Sequence, residues 1–595
     1  MSTRAITDGE VRPFALSART GPLLARLTIL LALVIHAPAL AAPFVLDDYA
    51  QYAMTYGTYP GTGAAATDAA PVPRAFDLYN FINDTNRQEL VERGIVPWWT
   101  HPTLVVRFFR PLASALLWAD HRVFGHHPLW HHVHSLLWWI ACVAMVRSLL
   151  RGLLPSRIAN LGAAVYALAP CHALPLVWLA NREVLVSTAI GTAALGLYCR
   201  WREGGRVAHA LASALLFALA MTAGEYTLCF AGYVVAIEVV TGGPPLRRAM
   251  GVAPFILPAA GYLWARSAMG YGARGAGFYH DPLSHFGEYV QSAPRRFAVL
   301  FDHAWLGLDD VAWGGAPWGA LLGAACVVAG LLVAPVVASV RALDPEPRRR
   351  ATWLLAGSLL SLAPVMAVQP SARLLAVCMI GVSPIIAIVI DRAWFPPAPQ
   401  PRAGLAELTG VVAILLAFAH LVRAPLDTWL ATRLAKNDAI QFDKRMRWIR
   451  DHAEGRSTVV VVRAVSPSAT LFAPLVLGSD APDRWRILTF LPGHCLLFRT
   501  GERTIDIVAG KVPPFPVGPE NLFRDLHAPF HAGDRVTLGG MTVRVLQVDE
   551  RAIPRRLRFE FDRDPDDPSL LWVVEDLDGF HESKLPPKGF GEPLD

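Results

Sequence analysis

At 595 residues the chain has room for several soluble domains, yet it is 53% hydrophobic and only 17% charged, with a mean hydropathy of +0.36. Soluble domains carry about 25% charged residues, so a string of such domains is excluded. The net charge of +6 leaves no nucleic-acid footprint, because the excess arginine sits between apolar runs, and the seven cysteines show neither a disulfide framework nor a zinc spacing.

About twenty polar residues precede the first apolar run, and nothing after that run reads as a cleavage site, so the run is taken as a retained helix. A spanning helix needs about 20 apolar residues. Runs of that kind lie near 23–43, 128–150, 158–178, 184–200, 207–223, 226–241, 249–266, 316–340, 352–369, 373–391 and 405–424. The expected fold is an all-α polytopic membrane bundle of about eleven helices over residues 1–425. The stretches 111–125 and 285–307 are too polar to count, the second interrupted by Arg295 and Arg296.

Basic residues alternate between the short loops. Arg4, Arg12 and Arg19, then Arg147, Arg151 and Arg157, then Arg200, Arg202 and Arg206 fall on one side. Arg247 and Arg248, Arg341 with Arg348–Arg350, and Arg392 with Arg402 follow on that side. The positive-inside rule makes this side cytoplasmic and puts the N-terminus inside. The opposite short loops are nearly free of Lys and Arg, with Arg182 and Arg373 as exceptions. Two long loops, roughly 44–127 and 267–315, fall on that outer side, where they could wall a site.

Residues 426–455 read as a charged helical linker. From 456 to 595 the period becomes that of strands: STVVVVRAV, RWRILTF, HCLLFRTGERTIDIVAG, DRVTLGGMTVRVLQV, LRFEF and LLWVVED. Gly, Pro or Asp separates these segments, and Gly539-Gly540 reads as a tight hairpin turn. The expectation is a soluble, separable, antiparallel β domain with no catalytic constellation.

The sharpest local feature is Phe44-Val45-Leu46-Asp47-Asp48-Tyr49, directly after the first apolar run. Paired carboxylates at a helix mouth are costly there and read as functional, against a plain reading as solvated acids ending the helix. Phe109-Arg110-Pro111-Leu112, then Pro128 to Leu137 (PLWHHVHSLL), then Pro170-Cys171-His172 and Trp178, Arg182 and Glu183 follow in order. This order resembles the bacterial relatives of the protein O-mannosyltransferases, in particular the transmembrane-and-tetratricopeptide branch of the C-class membrane glycosyltransferases. In that pattern Gly224-Glu225 and Arg373 with Gly381 stand for the later elements. The likeness covers roughly residues 25–395. It departs at Ala169, Ser135 and Gly224, where the family pattern has His, Asn and Lys, and the 34-residue tetratricopeptide period is absent.

The resemblance implies transfer of a sugar from a polyprenyl-phosphate donor to a protein, lipid or envelope glycan, with inversion. That chemistry needs a base for the acceptor hydroxyl and cations for the departing phosphate. Asp47 or Asp48 would be the base, its pKa raised by burial and by its neighbour. Asp48, further along, is expected to be the more exposed and to position the acceptor, and Asp47 is expected to be the base. Arg182 and Arg373, with Arg110 third, suit the phosphate because a guanidinium pairs bidentately with its oxygens; each also reads as a snorkelling or structural arginine. His172, Glu183, Glu225, Tyr279 and Asp281 are the candidate substrate-pocket residues, the last two also reading as an ordinary turn. His126, His127, His131, His132 and His134 lack carboxylates at matching spacing, so they read as interfacial hydrogen-bonding groups. No metal or other cofactor is assigned, although the Asp47–Asp48 pair has the chemistry to ligate a divalent ion. The expected partners are the lipid bilayer, the lipid-linked sugar and an unspecified acceptor, in a bacterial inner membrane with the β domain periplasmic. The alternative reading is a non-catalytic scaffold for envelope assembly; a transporter is disfavoured because paired half-repeats and broken-helix signals are missing.

Overall fold

The computed structural model describes residues 27, 30–61, 73–308, 316–395, 403–466, 471–490, 495–510, 512–518 and 521–594. Residues 1–26, with Arg4, Arg12 and Arg19, together with part of the first apolar run, Arg402 and parts of both long loops, lie outside the described residues.

Among the described residues, four helices are long and apolar enough to cross a membrane: Pro128–Leu153, Leu179–Gly204, Trp318–Arg341 and Gly404–His452. A fifth is obtained if Ser156–Ala167 and Pro170–Val177, bent by 48°, count as one span. The expectation of about eleven spans is corrected accordingly, and the reason is local. The run 226–241 is split into a 3-10 turn, Glu225–Cys229, and a 12-residue helix, Phe230–Thr241. Likewise 352–369 breaks after Leu360, and 373–391 begins with the separate turn Ala372–Leu375. Pro245–Ala268 contains Pro254 and Pro258, and Val207–Ala223 has only 17 residues. A count of apolar residues does not see such breaks. The helices nonetheless share one apolar core that includes Trp139, Tyr166, Phe230, Leu354 and Ile385.

The basic loops gather at one end of this bundle. Arg350 donates to the carbonyl of Gly152 and to Glu203, 3.0 and 2.7 Å away, and Arg157 pairs with Asp391. The opposite end carries the two long loops. Their strands β1 (Asn80–Ile82), β2 (Val105–Arg107) and β3 (Gly272–Arg274) form one antiparallel sheet that ties loop to loop.

The expected linker 426–455 is the second half of a single 49-residue helix, Gly404–His452, which passes through a π-helical turn at Phe418–Arg423. Phe442, Met446 and Ile449, spaced i, i+4, i+7, make one stripe that packs into the core of the C-terminal sheets. Those sheets are β4 (Thr458–Ala464), β5 (Arg484–Phe490), β6 (Cys495–Arg499), β7 (Thr504–Ala509), β8 (Arg535–Leu538), β9 (Met541–Val548), β10 (Pro554–Phe561), β11 (Leu570–Glu575), β12 (Phe580–Glu582) and β13 (Gly591–Leu594). A six-stranded antiparallel sheet runs β13-β6-β7-β10-β9-β8, and β8 and β9 turn at Gly539-Gly540. The second sheet, β12-β11-β4-β5, is not antiparallel throughout, which corrects the expected class: β4 lies parallel to both β5 and β11. All seven residues of β4 are buried. A strand covered on both faces reads as the continuous apolar run TVVVV rather than as an alternation.

The tail does not stand apart from the loops. Trp98 and Trp99 of the first long loop are buried in its core. Trp98 donates from Nε1 to the Leu488 carbonyl at 3.1 Å, and Trp99 stacks on Phe515 with centroids 5.0 Å apart. The second long loop docks through Gly277, whose N–H reaches the Asn521 carbonyl at 2.9 Å. A Cβ on Gly277 would stand 2.0 Å from the Gly518 carbonyl oxygen, so only glycine allows this approach.

Candidate active site

The Asp47–Tyr56 helix begins with an unusual turn. Leu46 has φ 48°, a left-handed conformation that costs a branched residue energy. Asp48 secures it: its N–H bonds the Val45 carbonyl, and its carboxylate accepts the Val45 N–H at 3.0 Å. The same carboxylate accepts the N–H of Ala180 at 2.8 Å and of Leu179 at 3.4 Å. Asp48 is fully buried, which corrects the expectation that it is the more exposed acid. With both oxygens facing backbone donors it fixes Asp47 against the Leu179–Asn181 turn, and it is a poor ligand for a metal ion. Burial lifts the Asp48 carboxyl to about 7 against the pull of those three N–H groups.

Asp47 is half-buried and lines a cavity of about 270 Å³. It makes no hydrogen bond or ion pair among the described residues. Burial raises its carboxyl to about 6, with Arg373 and then Arg110 pulling it back. Arg373 also lines the cavity and has no ion-pair partner among the described residues; its guanidinium lies 5.4 Å from the Trp178 ring centroid.

The remaining charges form an alternating chain along the wall. Arg110 contacts Glu183 and Glu225, both at 3.1 Å. Arg266 contacts Glu225 at 3.4 Å and Asp281 at 2.7 Å. Each of these arginines thus contacts two carboxylates, Glu225 being shared between them, whereas Arg373 contacts none among the described residues. Tyr279 lines the same cavity, held by a bridge to Val368. Leu228, Leu263, Val365 and Val368 give it an apolar side.

Besides Asp48, two of the expected site residues lie outside the cavity lining. Arg182 does not reach the cavity: it is buried, donates to Ser135 and to the His131 carbonyl at 2.8 Å each, and pairs with Asp120. His134 completes that cluster, 2.8 Å from Asp120. With its donors spent inside, Arg182 holds the start of the Glu183–Gly204 helix and has no fork left for a phosphate. His172 is enclosed in the bundle, bonded to the Tyr166 carbonyl at 3.0 Å. Of the histidine cluster, His131 and His132 bond the carbonyls of Gly125 and Leu176. Arg266 is a charged site residue that the sequence reading missed. It ends the 249–266 run on the side that the arginine alternation reads as outer, so the asymmetry that singled out Arg182 and Arg373 also points to it.

No family model matches the chain, and the search of curated proteins found no match. Solved structures show limited likeness. ArnT from Cupriavidus metallidurans bound to undecaprenyl phosphate is 13% identical over 77% of this chain and 85% of that one, with a TM-score of 0.40. The Archaeoglobus fulgidus oligosaccharyltransferase in the apo form gives 13% identity over 79% and 65%, with a TM-score of 0.41. The mycobacterial arabinofuranosyltransferase AftD gives 14% over 80% and 33%, with a TM-score of 0.36.

Proposed function

We propose that the chain is an integral membrane glycosyltransferase that moves a sugar from a polyprenyl-phosphate donor to an acceptor on the outer face of a bacterial inner membrane. One observation carries this reading: the Asp47 carboxylate and the Arg373 guanidinium, neither of them ion-paired among the described residues, share one cavity that also has an apolar side. A lipid-linked sugar needs such a combination of base, phosphate-binding cation and wall for an isoprenoid chain. The basic loops clustered at the far end of the bundle favour a cytoplasmic position for that end and an outer position for the cavity and the C-terminal sheets.

A carboxyl poised near 6 is mostly ionised at pH 7 and still basic enough to accept a proton. In the proposed step the acceptor hydroxyl gives its proton to Asp47 while its oxygen bonds to the anomeric carbon. The bond from that carbon to the phosphate oxygen breaks, and the electron pair leaves with the phosphate. Arg373 meets the negative charge so gained. A single displacement inverts the anomeric centre. Asp48 is a positioning residue that sets Asp47 against the Leu179–Asn181 turn.

The test supplies membranes containing the full chain with labelled polyprenyl-phosphate hexoses and pentoses, and follows label into acceptor together with release of polyprenyl phosphate. Asp47→Asn should abolish both signals, and Arg373→Leu should cut them strongly. Transfer at the parental rate in Asp47→Asn would end the catalytic reading and favour the scaffold.

A further inference from the structure

The end of the bundle opposite the cavity carries a groove of about 440 Å³ that the proposed reaction does not use. Trp201, Arg202 and Gly205, at the end of the Glu183–Gly204 helix, line one side. Leu246, Arg247 and Met250, at the start of Pro245–Ala268, line the other. Its depth follows from helix length. At about 1.5 Å per residue, Arg202 lies about 28 Å along the helix from Glu183, close to the roughly 30 Å of a bilayer's hydrocarbon core. With Glu183 in the cavity wall at one face, Trp201 and Arg202 sit at headgroup depth at the other.

The walls are held in place by a buried ion pair. Glu238 of the Phe230–Thr241 helix is 2% exposed. Arg202 sets Nε 2.7 Å from its Oε1 and donates from Nη2 to its Oε2 at 2.8 Å, and the Tyr198 hydroxyl donates to the same carboxylate. Pro245–Ala268 presses on this pair through Gly251, where a Cβ would stand 2.5 Å from the Glu238 carboxyl carbon. Three helices thus meet around one carboxylate, and the Arg202 guanidinium lies 5.3 Å from the Trp201 ring centroid.

Charge and apolar surface divide the groove between them. Glu238 balances Arg202, so the groove takes its positive charge from Arg247, which is exposed and has no ion pair among the described residues. Arg200, Arg206 and Arg248, next to the groove in the chain, have none either, and the neighbouring acid Glu203 is taken by Arg350 at 2.7 Å. Leu246 and Met250 are 73% and 64% exposed. On the adjoining Val207–Ala223 helix, Val207, Leu211, Leu215 and Leu219, spaced i, i+4, i+8, i+12, continue the exposed apolar surface along the bundle.

A free anion would meet Arg247 and leave Leu246 and Met250 bare. A zwitterionic lipid would cover the apolar side and leave the arginines uncompensated. A lipid with a net negative headgroup satisfies both.

We propose that this groove binds one anionic phospholipid of the leaflet at the basic end, with its phosphate on Arg247 beside Trp201 and its acyl chains over Leu246 and Met250. The proposal stands independently of the sugar-transfer reading of the cavity.

The test titrates the detergent-solubilised full chain with phosphatidylglycerol and with phosphatidylcholine of the same acyl chains, and reads retained lipid by native mass spectrometry. Phosphatidylglycerol should bind at least about fivefold more tightly, the order of effect of one arginine on an anionic lipid. Arg247→Gln should remove most of that preference; the side chain is exposed and not ion-paired among the described residues, so the lipid-free variant should unfold at the parental midpoint. Arg341→Gln, at the same end but outside the groove, should leave the preference intact. Inorganic phosphate in excess should not displace the lipid. Equal binding of the two lipids, or a preference that survives Arg247→Gln, overturns the proposal. So does a preference that Arg341→Gln lowers as much, which is the mark of a diffuse basic belt, and so does displacement by inorganic phosphate, which is the mark of a free-anion site.

Discussion

Replacing Asp47 with Asn should stabilise the folded chain while removing its activity. The side chain keeps its size and loses only the charge. In the folded state the carboxyl sits at about 6 rather than 3.8, so the ionised form is disfavoured by roughly 2 pKa units, or about 3 kcal/mol above pH 7, an upper figure because the group is partly open to solvent. The sign follows from the raised pKa. Protonated Asp47 contributes its stability fully below 3.8, and that contribution is lost as pH rises through 6. The advantage of Asp47→Asn should therefore be near zero at pH 4 or below, about half developed near pH 5 and complete by pH 7.5. Thermal unfolding in detergent, read by intrinsic fluorescence at pH 4.5, 6 and 8, should show the variant's midpoint pulling ahead by a few degrees as pH rises. Parental transfer should fall as pH drops below about 6, where the base becomes protonated. A variant less stable than the parent at pH 8, or a midpoint difference that does not change with pH, would refute the description of Asp47 as a desolvated, unpartnered carboxylate.

Asp48→Ala should behave oppositely, costing stability on the order of 2–4 kcal/mol because three backbone N–H groups lose their acceptor and Leu46 loses the turn that holds it, measured by the same unfolding assay. Trp98→Ala should cost about 3–5 kcal/mol, felt in the C-terminal sheets rather than in the membrane core, with faster proteolysis after residue 450 as the readout. Expressed alone, residues 450–595 should expose the faces that Trp98, Trp99 and Phe442 cover, and should bind a hydrophobic dye unlike a closed β domain. Alkaline phosphatase fused after residue 595 should be active and after residue 345 inactive; the reverse would place the cavity on the cytoplasmic face.

The sequence by itself determined the features that depend on local composition and period. Apolar length gave a membrane bundle, the alternation in RWRILTF and in the segments around Gly539-Gly540 gave strands and a hairpin, and the asymmetry of arginine pointed to the end that carries the cavity. It also brought Asp47, Arg110, Glu183, Glu225, Tyr279, Asp281 and Arg373 forward, and all seven line one cavity. What it could not settle was which partner each charge finds, because ion pairing depends on residues far apart in the chain. Asp47 and Asp48 are neighbours of one chemical type, yet Asp48 is consumed by N–H groups about 130 residues away and Asp47 is not. Arg182 and Arg373 are equivalent exceptions in the loops that the arginine alternation reads as outer. Asp120 lies close enough to take the first, and no carboxylate contacts the second among the described residues. The partners of the carbonyls freed at the helix breaks, and the parallel pairing of β4, were likewise decided by tertiary packing: the hydroxyls of Tyr226 and Tyr233 donate to the carbonyls of Leu374 and Val377 at 2.9 and 2.8 Å, and β4 lies between β5 and β11 with all seven residues buried.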